Sequence, residues 1–333
     1  MTDLKKSEIL FLYEGSYNVP NGDPFTGEQR YDEETKKILV SDVRMKRFVR
    51  DYLEMKDESI YVKGKDNAVS DQNDDQEKDN SEDQEKSKKK EGSGSARRIG
   101  ELITLFKSDI DVEKQKLKKG DKFSDALYVM KKCIDVRLFG GIATGKGDAV
   151  NLTGPVQFAL LNPSFNEVDL RMHQNTSTFE SKETNKQGSI ATTTLVPYSL
   201  VQIHGWFNPK VAENVGTTSE DLKLMFEGLW YGTSGDGSSH SRSKVGQNSL
   251  LLLEIVYAEN NKKIYGVDRL IQLTPNDDKK GEQLRSIDDY ELNFTKLIEA
   301  ANTDKVFGVN YYTEIEDIKI KFQENPKFKA LSI

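Results

Sequence analysis

The sequence has very few of the residues that build disulfides and metal sites. It contains a single cysteine, Cys133, so disulfides within the chain and thiolate metal clusters are excluded. The neighbours of Cys133 suggest a small core residue. Its three histidines, His173, His204 and His240, are far apart and show no HExxH or HxH spacing. We therefore expect structural roles for the histidines, and no metal or other cofactor.

Long apolar runs are also missing. The longest, SLLLLEIVYA at residues 249–258, is far shorter than the roughly 20 residues that a membrane-spanning helix needs. The amino-terminal stretch MTDLKKSEILFLYEG lacks a signal-peptide cleavage pattern. The sequence therefore predicts a cytoplasmic protein with no membrane segment.

Recognisable catalytic sets are absent as well. No Ser/His/Asp or Cys/His signature and no paired carboxylates stand out from the acidic background. GGIATGKG at residues 140–147 follows the strand-like DVRLF and nearly matches the phosphate-binding GxxxxGK[ST] loop. However, Gly147 stands where a Ser or Thr must hold magnesium, and no helix-like segment follows it. The sequence thus gives little support for catalysis.

The charges are unevenly distributed along the chain. The formal net charge is -7, from 48 basic and 55 acidic side chains. Residues 63–95 hold seven Lys, ten Asp or Glu, one Val and no aromatic residue, so we expect a disordered, charged insert there. Because the insert contributes nearly half of the negative charge, the acidic total says little against an anionic partner. What matters is where the cations cluster.

Hydrophobic periodicity indicates a mixture of strands and helices. Branched and aromatic residues between turn formers predict strands at residues 8–15, 154–161, 194–207, 249–258 and 262–273. A 3.6-residue period predicts helices at residues 41–54, 96–108, 122–132, 218–231 and 288–301. Their irregular order favours an α+β, ferredoxin-like plan over a doubly wound sheet.

The segment VSDVRMKRFVRDYL at residues 40–53 predicts an amphipathic helix, with Ser41 as N-cap and Asp42 at the positive end of the helix dipole. At 100° per residue one arc is apolar, formed by Met45, Phe48, Val49, Tyr52 and Leu53. The other arc carries four cations, Arg44, Lys46, Arg47 and Arg50. Such a face is usually only solvated. Asp51 and Glu54 are nevertheless too few to neutralise all four charges.

Two loops have a composition suited to binding. The connection at residues 15–40 includes NVPNGDPFTGEQR and is far longer than the usual 4 to 6 residues or so, which is typical of a binding surface. Within it, Asp23 could orient a metal or a ribose hydroxyl, although a lone Asp in a turn is usually only a turn residue. The Gly/Ser-rich residues 233–249 combine free N–H groups and cations that suit phosphate oxygens, with a flexible linker as the alternative.

Several motifs together resemble a known family. They are NGDP, LVSDVRMKRFVRDYL, DVRLFGG with GPVQF, VPYSLVQIHGWFNP and SRSKVGQNSLLL. In this order they closely resemble the backbone subunit of type I CRISPR-Cas surveillance (Cascade) complexes, most like subtype I-B. The resemblance spans nearly the whole chain outside residues 63–95. It implies a single domain over residues 1–333, an RRM-like (ferredoxin-like) palm with inserted finger and thumb elements.

The resemblance also implies where RNA is held. The guide's phosphates would contact the loop after the first strand, the following helix and the late Gly-rich loop. The corresponding residues are Asn21, Ser41, Lys46, Arg47, Arg50, Arg242, Lys244, Gln247 and Asn248. The thumb would lie at residues 174–194, with residues 141–153 as the competing candidate. Because no RNP signature is present, we expect readout of backbone shape that leaves the base edges free to pair.

The partners implied by the resemblance are those of a non-catalytic filament subunit. They are CRISPR RNA, copies of the chain itself, other Cascade subunits, target DNA paired with the guide, and a helicase-nuclease recruited to the complex. Polymerisation requires a heterologous head-to-tail contact. Two alternatives stay open: a metal-dependent endoribonuclease of the type III-like kind using Asp23, and a general single-strand RNA chaperone.

Overall fold

The computed structural model describes residues 4–23, 25–63, 94–144, 149–176, 190–235 and 241–333. Nearly all of the insert predicted at residues 63–95 lies outside the described residues. Each helix within the described ranges is too short or too polar to cross a membrane.

The described residues form strands and helices in an irregular order, which confirms the predicted α+β class. The strands are β1 (Ser7–Asn18), β2 (Tyr31–Asp32), β3 (Lys37–Ser41), β4 (Gly140–Ala143), β5 (Val150–Thr153), β6 (Val156–Phe158), β7 (Leu161–Pro163), β8 (Arg171–Thr176), β9 (Ile190–Phe207), β10 (Gln247–Tyr257), β11 (Gln272–Pro275), β12 (Tyr290–Asn293), β13 (Val306–Tyr312) and β14 (Phe328–Ala330). The helices are α1 (Asp42–Met55), α2 (Gly94–Leu105), α3 (Lys107–Gln115), α4 (Asp125–Lys132), α5 (Ile134–Phe139), α6 (Pro209–Val215), α7 (Ser219–Ser234), α8 (Thr295–Ala301) and α9 (Glu316–Gln323).

A mixed seven-stranded sheet forms the centre of the protein, in the order β14-β13-β10-β1-β9-β6 with β8 paired to β9. All of its pairings are antiparallel except that between β13 and β14. The predicted apolar strands at residues 8–15 and 249–258 become β1 and β10, two neighbours in the middle of this sheet. Their nearly continuous hydrophobic sequence follows from burial on both faces.

Each face of the sheet covers its own hydrophobic core. Ile9, Phe11 and Tyr13 point from β1 towards α1 and α7, whereas Leu10 and Leu12 point to the core that includes α8 and α9. This division follows the two-residue repeat of a strand. Helices α1 and α7 pack closely, since a Cβ atom added at Gly232 would lie 2.6 Å from the carbonyl oxygen of Phe48.

A small helical unit, α2 to α4, packs around a third cluster of apolar residues. Its core includes Leu102, Ile110, Val129 and Met130, together with Cys133, which is buried as expected. Burial raises the pKa of the Cys133 thiol to about 12, so the group stays protonated and unreactive. The unit is therefore a separate packing element beside the main sheet.

The segment DVRLF, read from sequence as strand-like, is instead the helix α5. Helical spacing lets Arg137 place a guanidinium nitrogen 2.6 Å from a carboxylate oxygen of Asp221 on α7. Gly140, at φ +81°, ends the helix in a conformation that favours glycine. The segment is buried because it packs against α1 and α7, and an apolar run of this length does not by itself distinguish strand from helix.

Two predictions near the carboxyl-terminal end were wrong in part. Of the strand predicted at residues 262–273, only the last two residues are extended, within β11, and Gly266 at φ +69° turns the chain before it. The helix predicted at residues 288–301 begins only at Thr295, because residues Tyr290–Asn293 form β12 and pair with β11. In the second place, pairing of β12 with β11 overrides the local helical period.

Candidate nucleic-acid interface

Helix α1 forms as the sequence predicts. Its buried residues are the five of the apolar arc, Met45, Phe48, Val49, Tyr52 and Leu53. Ser41 occupies the N-cap position with an extended backbone, but its side chain accepts no capping hydrogen bond. Its N–H instead donates to Oδ1 of Asn21 at 2.6 Å. The start of α1 is therefore fastened to the loop that follows β1.

Asn21 organises that loop from a buried position. Its backbone N–H donates to Oε1 of Gln29 at 2.9 Å, and its carbonyl oxygen accepts from the N–H of Arg30 at 3.0 Å. The side-chain amide of Gln29 in turn donates to the carbonyl oxygen of Leu39 at 3.2 Å. Asn21 and Ser41, both predicted as site residues, thus lie together and fix the shape of the loop.

The four cations of α1 divide into three environments. Lys46 and Arg50 lie on the flank that faces α5, at 5.9 and 5.5 Å from the ring centroid of Phe139. Their side chains are only 14% and 12% exposed, so they are not part of a solvated face. Lys46 pairs with Asp42 at 2.9 Å. Arg50 pairs at 2.9 Å with Asp135, a residue that the sequence pattern did not indicate.

Arg47 is the exposed cation of the helix. Its side chain is 46% exposed, and its Nε lies 2.6 Å from the carboxylate of Asp51. Glu54, the other acid expected to neutralise this face, pairs with Lys63 at 2.6 Å instead. Because exposed ion pairs are weak, Arg47 can exchange its partner for a phosphate at little cost.

Arg44 was not among the predicted site residues, and it lies on the opposite flank from Lys46. The guanidinium stacks on Phe48, 3.9 Å from the ring centroid. Its Nε is buried and has no hydrogen-bond partner in the described part of the chain, as is also true of the hydroxyl of Tyr13. Burial lowers the pKa of Arg44 and raises that of Tyr13. No carboxylate of the described residues lies within ion-pair distance of Arg44.

The Gly/Ser-rich loop reaches the end of β1, and we call its residues 241–248 the strip. Ser16 N–H donates to the carbonyl oxygen of Gly246 at 2.8 Å, and Val19 N–H to that of Ser243 at 2.9 Å. Gly246 is required here, because it has φ +88° and a Cβ atom would lie 2.6 Å from the carbonyl oxygen of Ser16. The loop after β1 and the strip therefore form one continuous surface.

Lys244 is buried rather than displayed on the strip. Its ammonium group donates to the carbonyl oxygen of Val19. Burial, followed by the positive charge of Arg44, lowers the pKa of Lys244 to about 8. Among the described residues neither cation has a carboxylate within ion-pair distance, so the two place positive charge beneath the strip that only the more distant Asp51 offsets.

The other predicted site residues of the strip lie in different environments. Gln247 is buried and donates from Nε2 to the carbonyl oxygen of Lys244 at 2.8 Å, while its Oε1 has no partner among the described residues. Asn248, one residue on, points to the opposite face of the sheet and donates to Glu14 at 3.0 Å. The backbone of Arg242 begins a short 3-10 turn, and its side chain lies outside the described part of the structure.

Asp23 is engaged in a turn. Its Oδ1 accepts the N–H groups of Phe25 and Thr26 at 2.9 and 3.4 Å, and its Oδ2 lies 3.3 Å from the guanidinium of Arg30. Within the described ranges no three His, Cys, Asp or Glu side chains are grouped to hold a metal ion. The environment of Asp23 matches a turn residue.

Of the histidines, His204 lies in β9 with Nε2 at 2.7 Å from the carboxylate of Glu8. The same carboxylate accepts the hydroxyl of Tyr257 at 2.7 Å, so this buried group joins three neighbouring strands or their ends. His173 lies in β8, and His240 falls outside the described residues.

Residues 5–295 match a protein family whose description is CRISPR-associated protein Cas7. The chain belongs to the Cas7 family. Its similarity to a CRISPR-associated protein Cas7 from Haloferax volcanii is 28% identity over 313 residues, which is 90% of this chain and 83% of that one. A chain of a solved "CRISPR RNA-guided surveillance complex, pre-nicking" has a TM-score of 0.51 at 12% identity, covering 93% of each chain. That structure supports the mixed α+β fold.

Two β-arms extend from this Cas7-family chain at the places considered for a thumb. In the first, β8 pairs antiparallel with the start of β9, from Arg171 opposite Leu195 to Thr176 opposite Ile190. The middle of the predicted thumb, residues 177–189, lies outside the described residues. In the second, β4 pairs antiparallel with β5, and residues 145–148 between them are also outside the described part.

Proposed function

We propose that this chain is the CRISPR RNA-binding backbone subunit of a type I Cascade surveillance complex, most like subtype I-B. It polymerises along the guide and presents it for pairing with target DNA in antiviral defence. The observation that carries this proposal is the Cas7 family match over residues 5–295. That range contains the loop after β1, helix α1 and the strip, the three elements that form one surface.

We further propose that the palm is RRM-like. Strands β10, β1, β9 and β6 are neighbours in that order, and each pair is antiparallel. Helix α1 follows β1, helix α7 joins β9 to β10, and both helices pack on the same face. This is the strand order and connectivity of a β-α-β-β-α-β ferredoxin-like unit, which supports the proposal. On this plan the helical unit α2 to α4 is the finger, and residues 174–194 remain our choice for the thumb.

RNA phosphates are proposed to bind over the surface between α1 and the strip. The exposed guanidinium of Arg47, the half-buried guanidinium of Arg44 and the buried ammonium group of Lys244 supply attraction, while Asn21 and Ser41 hold the backbone in shape. Lys46 and Arg50 already have carboxylate partners, so we expect smaller direct contributions from them. Arg242 and Gln247 complete the proposed contact set, whereas Asn248 points to the opposite face of the sheet and is left out of it. This readout contacts the sugar-phosphate chain and is independent of guide sequence.

We propose that the subunit holds RNA without cutting it. The carboxylate of Asp23 is occupied by two backbone N–H groups and by Arg30, and this supports a turn over a catalytic metal ligand. Its partners would be further copies bound head to tail, other Cascade subunits and, through them, a helicase-nuclease. A chain of copies along RNA requires two different surfaces on each subunit.

The deciding experiment is to purify the tagged chain from its native host and sequence the RNA that accompanies it. The proposal expects one class of RNA, derived from the CRISPR repeats and spacers. In a strain lacking the CRISPR array, the same purification should yield almost no bound RNA. A general RNA chaperone would instead bring down a mixture in both strains, and that result would overturn the proposal.

A further inference from the structure

Tyr17 adopts a backbone conformation that a bulky L residue rarely takes. Its φ is +48°, near the end of β1. Its side chain is 68% exposed. In the described part of the chain no hydrogen bond, ion pair or ring contact involves this side chain. The fold therefore maintains a strained residue whose ring makes none of these contacts within the described part of the subunit.

The neighbours of Tyr17 fix its position against the strip. Ser16 bonds to Gly246, as described above, and the side-chain amide of Asn18 donates to the carbonyl oxygen of Val245 at 3.2 Å. Tyr17 thus lies between two residues that are tied to consecutive positions of the strip. Val245 is itself exposed. Tyr17 and Val245 are exposed apolar residues in two backbone segments that these bonds join, and we call the two residues the apolar spot.

The chemistry around this spot suits a nucleotide. Lys244, adjacent to Val245, is bonded to the carbonyl oxygen of Val19 and has no ion-pair partner among the described residues. Single-strand binding surfaces combine such positive charge with aromatic rings on which bases stack. Strained backbone of this kind clusters at functional sites, and a relaxed torsion at Tyr17 would direct the ring elsewhere.

We propose that Tyr17 stacks on a nucleobase of the bound single-stranded RNA. This inference rests on the proposed function and extends it from phosphate contacts to a specific base contact. Every base offers an aromatic face, so stacking tolerates any guide sequence and leaves the pairing edges free. Because the hydroxyl of Tyr17 bonds to nothing in the described residues, the ring alone carries the contact.

The test measures affinity of the full-length chain for a fluorescently labelled oligoribonucleotide of repeat-spacer sequence. Tyr17→Ala should weaken binding about 5- to 150-fold, and Tyr17→Phe should bind like the wild type. The salt dependence should not change, since no phosphate contact is lost. Tyr265→Ala is the matched control, because Tyr265 is another exposed tyrosine, between β10 and β11, and its loss should leave affinity unaltered.

A second variant separates stacking from a structural role. Tyr17→Gly relieves the strained torsion, so its melting temperature should equal or exceed that of the wild type while RNA binding falls as for Tyr17→Ala. Lys36→Gly, at another positive φ of +55°, should leave RNA binding intact. A lowered melting temperature that accounts for the lost binding would overturn the inference.

Abasic substitutions along the oligonucleotide identify the stacked base. Wild-type affinity should drop at one or at regularly spaced positions, and Tyr17→Ala should remove that sensitivity. Tyr17→Ala binding as tightly as the wild type would refute the stacking contact while the proposed function stands. Failure of the wild-type chain to bind any repeat-derived RNA would overturn both.

Discussion

The Nε of Arg50 lies 2.9 Å from Oδ2 of Asp135, a carboxylate with no solvent exposure. The same carboxylate accepts the backbone N–H groups of Tyr61 and Val62 at 2.8 and 3.1 Å. Arg50 thus compensates a buried negative charge and connects α1 with α5 and with the segment that follows α1. Its first role is to hold these elements together, and any contact with RNA comes in addition.

Arg50→Met should therefore destabilise the fold. Removing the cation leaves a buried carboxylate unpaired, which costs about 3–5 kcal/mol in the free energy of unfolding. Urea denaturation followed by circular dichroism measures the change. Arg47→Ala is the control, because that exposed pair contributes only about 0–1 kcal/mol. Equal stability of the Arg50→Met and Arg47→Ala variants would contradict a structural role for Arg50.

Arg47 should instead affect RNA binding. If each subunit contacts about four phosphates, log affinity against log salt has a slope near -3, from about 0.7 per phosphate in a single strand. Arg47→Ala should reduce the slope by about 0.7 and leave stability almost unchanged. Lys223→Ala on α7 is a matched control, since Lys223 is 48% exposed and also pairs four residues along its helix. An identical slope for Arg47→Ala and the wild type would remove Arg47 from the interface.

Much of α1 could be predicted from sequence, because an amphipathic helix is a local pattern. The periodicity predicts both its bounds to within a residue or so and all five buried side chains. The partners of its cations could not be predicted. Asp135, which pairs with Arg50, is 85 residues away along the chain, and no local spacing indicates that contact.

The sequence also did not predict that polar residues of the strip are buried. A Gly/Ser-rich segment with cations resembles an open loop, yet Lys244 is buried because Val19, 225 residues earlier, supplies its acceptor. Arg44 was grouped with the other cations, although it lies on the flank of α1 opposite Lys46. Tyr17 differs from the other residues of β1 in its backbone torsion and its exposure, and the local sequence pattern indicates neither.

Gly246→Ala should disrupt the contact between the strip and β1. The new Cβ atom would lie 2.6 Å from the carbonyl oxygen of Ser16, at a φ of +88° that already costs an alanine about 1–2 kcal/mol. We expect a lower free energy of unfolding. We also expect a loss of RNA affinity larger than the unfolded fraction alone would cause. Gly216→Ala is the control, with φ +85° but nothing within 4 Å of the added atom. Equal RNA affinities for the two variants would argue against the strip as a binding element.

Asp23→Ala should leave the RNA content of the purified complex unchanged. The side chain caps a turn, so its loss should cost about 1 kcal/mol of loop stability by analogy with other side-chain caps. Denaturing gel electrophoresis of RNA before and after incubation with magnesium compares the wild type with the variant. Asn is the matched replacement, because Asp23→Asn keeps an acceptor for the turn while removing the charge. RNA fragments produced by the wild type and absent from both variants would support the endoribonuclease alternative.

Lys244 should give the chain a distinctive alkaline pH dependence. Its pKa is about 8 in the folded chain and about 10.5 in the unfolded chain. Below pH 8 the group is charged in both states, and its burial cost is fully present. Between these two values the unfolded state binds more protons, so the free energy of unfolding rises with pH, in total on the order of 3 kcal/mol.

RNA binding should show the opposite trend. A phosphate near Lys244 stabilises the charged ammonium group, so affinity should fall as the pH rises through about 8. Lys244→Met keeps the buried aliphatic chain without the charge. Subtracting the pH profiles of this variant from those of the wild type cancels the titration of every other group. Stability from urea denaturation and affinity from fluorescence anisotropy should therefore diverge between wild type and variant over the same pH range. Parallel profiles for the two proteins would mean that Lys244 titrates at its ordinary pKa and is not the buried cation beneath the RNA surface.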